Sequence, residues 1–150
     1  MKKLLKSVLI WYSPEEMFRL VTDVDQYKNF LPWCNQSKVL QFTDMEMDAE
    51  VGIGIAGFNQ VFVTHNTHIK DREVRMKLVQ GPFSKLDGTW TFEPVGDNSQ
   101  RACKVTLSLE YGFSSNTLAT VVGPVFDKIA ASLVDAFVKR AEQVYGAESV

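Results

Sequence analysis

The sequence predicts an α+β domain in which a curved antiparallel sheet wraps around a long C-terminal helix, with two short helices after the first strand. Three observations lead there. Apolar residues recur at every second position through the middle of the chain. From about Asn116 to Tyr145 the spacing turns helical. A helix-start signal, Ser13-Pro14-Glu15-Glu16, interrupts the β pattern early. The chain has 150 residues, which suits one domain with one core, so residues 1–150 are read as a single domain.

Lys3 to Tyr12 is rich in β-formers and reads as the first strand. Met1-Lys2-Lys3-Leu4-Leu5 also resembles the start of a signal peptide. Lys6 interrupts that apolar run and no small-residue cleavage site follows before Pro14, so the strand reading is preferred. Ser13 can cap the next helix, Pro14 suits its first turn, and the two glutamates complement the helix dipole. Met17, Phe18, Leu20 and Val21 give it an apolar face. Asp23 ends it, Asp25 is placed to cap a second short helix through Phe30, and Pro32 stops that one.

From about Ser37 to Phe113 the period is two. Val74, Met76 and Leu78 alternate with Arg75 and Lys77. Leu86, Trp90 and Phe92 alternate with Asp87, Thr89 and Thr91. Cys103, Val105, Leu107, Leu109 and Tyr111 alternate with Lys104, Thr106, Ser108 and Glu110. Each pattern describes a strand with one buried and one wet face. Gly57, Gly81-Pro82 and Gly96-Asp97-Asn98 punctuate the run, and such short links suggest a meander. Gly52, Gly54 and Gly57 have neither the spacing nor the following helix of a phosphate loop, and read as bulges or bends.

In the last segment Leu118, Val122, Val125, Phe126, Ile129, Leu133, Phe137, Ala141 and Val144 form one apolar stripe. Gly123-Pro124 is expected to kink its first turns and Gly146 to end it. About 30 residues at 1.5 Å each give a helix of about 45 Å, enough to cross the whole sheet. A curved sheet and one helix cannot fill all the space between them, which favours an internal cavity.

Composition narrows the function. Net charge is −2 and the pI is about 5.7, which argues against a general nucleic-acid binder and against DNA as a partner. Cys34 and Cys103 form no CxxC pair and read as reduced thiols of a cytoplasmic protein, Cys103 as a core filler and Cys34 as a buried structural thiol in preference to an exposed reactive one. No apolar run approaches the ~20 residues needed to span a bilayer. His65 and His68, three apart in a strand, point to opposite faces and should not share a metal. No nucleophile-elbow motif, catalytic constellation or cofactor motif is present. Aromatic residues occur on every element, and some of them are expected to line a pocket for a flat or lipidic ligand. Phe30-Leu31-Pro32-Trp33-Cys34 puts apolar bulk where a short helix breaks into a strand. Two readings of it stay open, an exposed contact or entry site and a plug that closes the end of the core.

Residues 13–27 (Ser-Pro-Glu-Glu-Met-Phe-Arg-Leu-Val-Thr-Asp-Val-Asp-Gln-Tyr), followed by Phe30-Leu31-Pro32-Trp33-Cys34, resemble the coenzyme Q-binding START-like family. Bacterial members of that family include the ribosome association toxin and proteins labelled oligoketide (polyketide) cyclases. Gly81-Pro82-Phe83-Ser84-Lys85-Leu86 with Trp90-Thr91-Phe92, and Gly123-Pro124-Val125-Phe126-Asp127-Lys128-Ile129-Ala130 with 133–141, agree with it. Lys28 stands where the family usually has proline. The resemblance implies a START/Bet v 1-like helix-grip fold with a hydrophobic tunnel under the last helix. It further implies binding of ubiquinone or a related prenylated lipid in support of respiration, by a non-catalytic protein that is cytoplasmic or peripheral to the inner membrane.

On this reading the expected pocket wall is Phe30, Leu31, Trp33, Phe62, Met76, Leu78, Trp90, Phe126, Ile129 and Leu133. Asn66, Thr64 and His68 are the candidates for a polar headgroup. A bound quinone or lipid would be a ligand, so no cofactor is expected. A ribosome-binding factor is the alternative, with Lys2, Lys3, Lys6, Lys139 and Arg140 against the RNA of the large subunit. A cyclase is the third reading and would need an acid or base in the pocket.

Overall fold

The computed structural model describes residues 2–55, 57–96 and 101–146. The chain runs β1 (Lys2–Ile10), α1 (Pro14–Thr22), a 3-10 turn (Val24–Gln26), α2 (Tyr27–Phe30), β2 (Cys34–Phe42), β3 (Glu46–Ile55), β4 (Phe58–Ile69), β5 (Glu73–Gln80), β6 (Phe83–Pro94), β7 (Cys103–Phe113) and α3 (Asn116–Tyr145). The strands form one seven-stranded antiparallel sheet in the order β1-β7-β6-β5-β4-β3-β2. The meander read from the sequence is therefore β2 to β7. Strand β1 closes its far side by pairing with β7, from Lys2 opposite Tyr111 to Ile10 opposite Cys103.

Local chemistry sets the helix ends. Ser13 Oγ accepts the Glu16 N–H at 3.1 Å, and Glu16 Oε1 accepts the Ser13 N–H at 2.9 Å, a closed capping box. Met17, Leu20 and Val21 then face the core. Asp25 does not cap the second helix. Its carboxylate accepts the Val39 N–H at 3.0 Å instead and ties the 3-10 turn to β2. Lys28 donates its backbone N–H to the buried Ser37 Oγ at 3.1 Å, a bond that proline could not make.

Strand β2 starts at Cys34, earlier than the period-two pattern shows, because a bulge breaks the alternation. Cys34 pairs with Ile53 and Gln36 with Gly52, which leaves Asn35 as the extra residue. The bulge thus lies on β2, and the glycines of β3 make room for it. A Cβ at position 52 would stand 2.3 Å from Asn35 Oδ1. Gly57 (φ 83°) turns β3 into β4. A Cβ at Gly81 would lie 2.6 Å from Phe62 Cβ. Gly96 is described, while Asp97 and Asn98 lie outside the described residues.

Helix α3 has the predicted bounds and runs on through Gly123 and Pro124. Two details differ. Tyr145, not Val144, completes the buried stripe, and Val144 is exposed. Gly146 is the C-cap but keeps right-handed helical angles (φ −59°, ψ −37°) instead of a left-handed cap. The helix is tied to β1 and β7 by Lys2 with Asp127, by Tyr111 OH donating to Asp127, and by Lys6 Nζ with Asp135 at 3.2 Å. Exposed pairs of this kind contribute about 0–1 kcal/mol each, so apolar packing holds the helix in place. Phe92, Phe137 and Met17 are among the largest fully buried side chains of that packing.

Of Phe30-Leu31-Pro32-Trp33-Cys34, Leu31 and Cys34 are buried and Pro32 is exposed. Leu31 and Cys34 anchor the segment in the core, with Phe30 and Trp33 half-buried beside them.

A cavity between the sheet and the last helix

Period-two alternation sends Phe62, Thr64 and Asn66 of β4 inward, along with Ala49 and Val51 of β3 and Leu86, Gly88 and Trp90 of β6. Met76 of β5 and Leu109 of β7 complete the floor. Phe126, Ile129, Leu133 and Phe137, one stripe of α3, form the roof. Val24, Tyr27, Leu31 and Trp33 close the side. Together these residues enclose a cavity of about 90 Å³.

Aromatic clusters flank it on two sides. At one, Phe137 receives Trp90, Phe30 and Tyr27 edge-on, with ring centres 5.2, 5.3 and 5.4 Å away. At the other, Phe126 packs on Tyr111 at 4.7 Å and on Phe83 at 5.1 Å. The Tyr27 hydroxyl donates to the Val21 carbonyl, and burial pushes its pKa well up. That leaves Thr64 and Asn66 as the polar side chains of the wall that face each other, Thr64 Oγ1 donating to Asn66 Oδ1 at 2.8 Å.

Eight of the ten expected wall residues lie on this wall: Leu31, Trp33, Phe62, Met76, Trp90, Phe126, Ile129 and Leu133. Phe30 does not, because it stands behind Phe137 with the Arg140 guanidinium 5.1 Å over its ring. Leu78 shares the inner face but packs into the Phe83–Phe126 cluster, beyond the register shift that sets it opposite Thr64. Val24, Tyr27, Ala49, Val51, Leu86, Gly88, Leu109 and Phe137 are wall residues that the sequence reading did not assign. Leu86, Leu109 and Phe137 carried the signal, since each sits on an apolar face already recognised. Gly88 carried none.

The histidines occupy opposite faces, as strand geometry requires. His65 is outside, with Nδ1 2.6 Å from Asp48 Oδ1, and that hydrogen bond raises its pKa. His68 lies inside but off the cavity, edge-on to Phe18 at 5.7 Å, and burial lowers its pKa. Of the three headgroup candidates, then, Thr64 and Asn66 border the cavity. Both thiols are buried. Burial raises the pKa of Cys34, and burial with the nearby Glu16 charge pushes that of Cys103 up to about 12. For Cys34 burial outweighs the nearby Lys28 charge, and the charge near Cys103 is negative, so neither has the setting of a reactive cysteine.

Residues 10–138 match the family described as polyketide cyclase / dehydrase and lipid transport. The chain belongs to this family. It is 41% identical over 146 residues to the ribosome association toxin RatA of Vibrio cholerae serotype O1, covering 97% of this chain and 99% of that protein. It is 30% identical over 146 residues to the mitochondrial coenzyme Q-binding protein COQ10 homolog B of Xenopus laevis, covering 97% of this chain and 60% of that protein. A START superfamily protein from Mycobacterium smegmatis superposes with a TM-score of 0.73 at 20% identity, over 95% of this chain and 98% of that one. At that identity the likeness speaks for the fold alone. The fold is the START/Bet v 1-like helix-grip fold that the resemblance implied. Among the described residues, no helix is long and apolar enough to cross a membrane.

Proposed function

We propose that the protein is a non-catalytic carrier of a hydrophobic ligand, a prenylated quinone such as ubiquinone or a related lipid, acting in support of respiratory electron transport. The observation that carries this reading is the apolar cavity under α3, with aromatic clusters beside it and one polar pair on its wall. Among the described residues the wall holds no carboxylate, histidine or lysine, and the hydroxyl of its Tyr27 is bonded to the Val21 carbonyl, so it offers no free group for the acid–base work of a cyclase. The kinship with a coenzyme Q-binding protein points the same way.

The cavity of about 90 Å³ is smaller than the ~300–1,000 Å³ typical of ligand pockets. A prenylated ligand therefore enters by parting the wall, and the apolar surface it buries, at about 25 cal/mol per Å², offsets the packing lost. The test is to purify the protein from a quinone-containing host, extract it with organic solvent and analyse the extract by mass spectrometry. Quinone in the extract, or quenching of tryptophan fluorescence by an added alkyl-benzoquinone, supports the reading. Protein that carries none and takes up none ends it.

A second reading is favoured by the identity with the ribosome association toxin. Here the surface would contact the large ribosomal subunit. Lys2 and Lys6 are engaged with Asp127 and Asp135, and Arg140 lies over Phe30, which thins the basic surface expected from sequence. Co-sedimentation with large subunits at low salt, where phosphate contacts are strongest, tests it. Failure to co-sediment there removes this reading and leaves the first standing.

A further inference from the structure

We infer that Asn66 reads a carbonyl oxygen on the ligand, so that the cavity selects neutral carbonyl-bearing lipids over hydrocarbons and fatty-acid anions. This rests on the proposed ligand cavity and assigns its polar end.

The geometry is directional. Asn66 is 4% exposed and Thr64 5% exposed. The Thr64 hydroxyl donates to Asn66 Oδ1 at 2.8 Å, which takes one of the oxygen's two acceptor positions and turns the amide nitrogen away from Thr64. The amide nitrogen, Nδ2, has no acceptor among the described residues. Nor is it sealed in the packing, since His68 Nε2 is the fully enclosed side-chain nitrogen or oxygen without a partner among those residues. Asn66 lines the cavity, so Nδ2 opens onto it.

An unmade donor facing apolar walls is costly, and the group that satisfies it must be an acceptor. A carboxylate is excluded by charge, because among the described residues no cationic side chain lines the cavity to balance it. A neutral ketone, quinone or ester carbonyl fits. Asn66, Met76 and Gly88 are successive partners across β4, β5 and β6, and the flexible Met76 methyl covers Gly88, so the floor beside Asn66 can yield to a ligand.

The test compares an alkyl-1,4-benzoquinone, the alkylbenzene with the same tail, and the fatty acid of equal length, each titrated against tryptophan fluorescence. Wild type is expected to bind the quinone about tenfold more tightly than the hydrocarbon, the scale of one net hydrogen bond, and to bind the fatty acid least. Asn66→Leu should keep hydrocarbon binding and lose the preference. Thr64→Val frees the amide to turn, so it should weaken the preference and gain affinity for a matched alkylphenol, which donates. If Asn66→Leu does not fold, Thr64→Val carries the same test. Hydrocarbon and quinone bound equally by wild type means that water serves Nδ2, which overturns this inference and leaves the lipid-carrier reading intact. A preference that survives both substitutions also overturns it. Binding of none of the three ligands overturns both.

Discussion

Arg101 meets Glu16 with two parallel hydrogen bonds, Nε to Oε1 at 2.7 Å and Nη2 to Oε2 at 2.5 Å. The same glutamate closes the capping box of α1 with Ser13, and its backbone carbonyl accepts the Tyr145 hydroxyl at 3.1 Å. The start of α1, the approach to β7 and the end of α3 thus converge on one residue. The pair is partly buried, with 15% of the Glu16 side chain exposed.

The Arg101 bonds hold the Glu16 pKa below its ordinary value. Because the folded-state pKa is the lower one, the stabilisation is present above the unfolded value of 4.5 and is lost as pH falls through the folded value. Glu16→Gln is expected to cost about 1–3 kcal/mol at pH 7. It should also flatten the loss of stability below about pH 4.5. Urea unfolding at pH 7 and in acid measures both. An acid slope identical in the two proteins would show that Glu16 is not a source of it.

The two histidines should titrate on opposite sides of the ordinary value. Asp48 raises His65, so the charged form is favoured in the fold, and its contribution is present at low pH and lost as pH rises through the raised pKa. Burial lowers His68, so stability is full above 6.5 and falls as acid forces a proton onto a ring packed on Phe18. Ring C–H resonances followed by NMR from pH 5 to 8 resolve the two curves. The order is reversed only if the hydrogen bond to Asp48 or the enclosure of His68 is absent in solution.

Phe137 supports the fold and the cavity at once. It is 2% exposed and carries three aromatic neighbours edge-on. Phe137→Ala should cost about 3–5 kcal/mol, and Phe137→Leu considerably less, because leucine keeps most of the volume. Chemical denaturation of both variants checks the ranking. A loss for Phe137→Ala below about 1 kcal/mol would mean that the end of the cavity collapses without cost.

These relationships show which parts of the molecule its sequence discloses. The capping box was legible at Ser13 and Glu16 because helix starts are local chemistry, three residues wide. The Arg101 partner was not, because it lies 85 positions away. Helix α3 was legible from end to end by its stripe, yet from Ala141 the spacing allows either Val144 or Tyr145 to continue it, and the Tyr145 hydroxyl bonding Glu16 decides the matter through tertiary contact. Alternation found Met76 and Trp90 and the helical stripe found Phe126, Ile129 and Leu133, but neither could show where along a face the space lies. Leu78 and Leu86 read alike, and only the latter borders the cavity. The bulge at Asn35 hid the start of β2 because an extra residue breaks the period that identifies a strand. Asn66 and Thr64 were legible only as candidates for a polar headgroup, and the bond between them was not.

Gly88 offers the most direct test of how the floor of the cavity is used. A Cβ there would come within 2.6 Å of Met76 Cε and 3.1 Å of Leu109 Cδ1. The Met76 methyl is the end of a flexible side chain, so it yields, and the open side available to it is the cavity. Gly88→Ala should therefore change stability by less than about 1.5 kcal/mol, because methionine repacks with little strain. It should also weaken quinone binding by about tenfold, equivalent to 1.4 kcal/mol of lost space and contact. Gly88→Val, which displaces Leu109 as well, should weaken it further and begin to destabilise the sheet. Thermal unfolding reports the first quantity and tryptophan quenching by the alkyl-benzoquinone the second. Unchanged affinity in a Gly88→Ala protein of normal stability would mean that the ligand does not occupy the space between Met76 and Leu109, and would move its ring toward the Trp33 side of the wall.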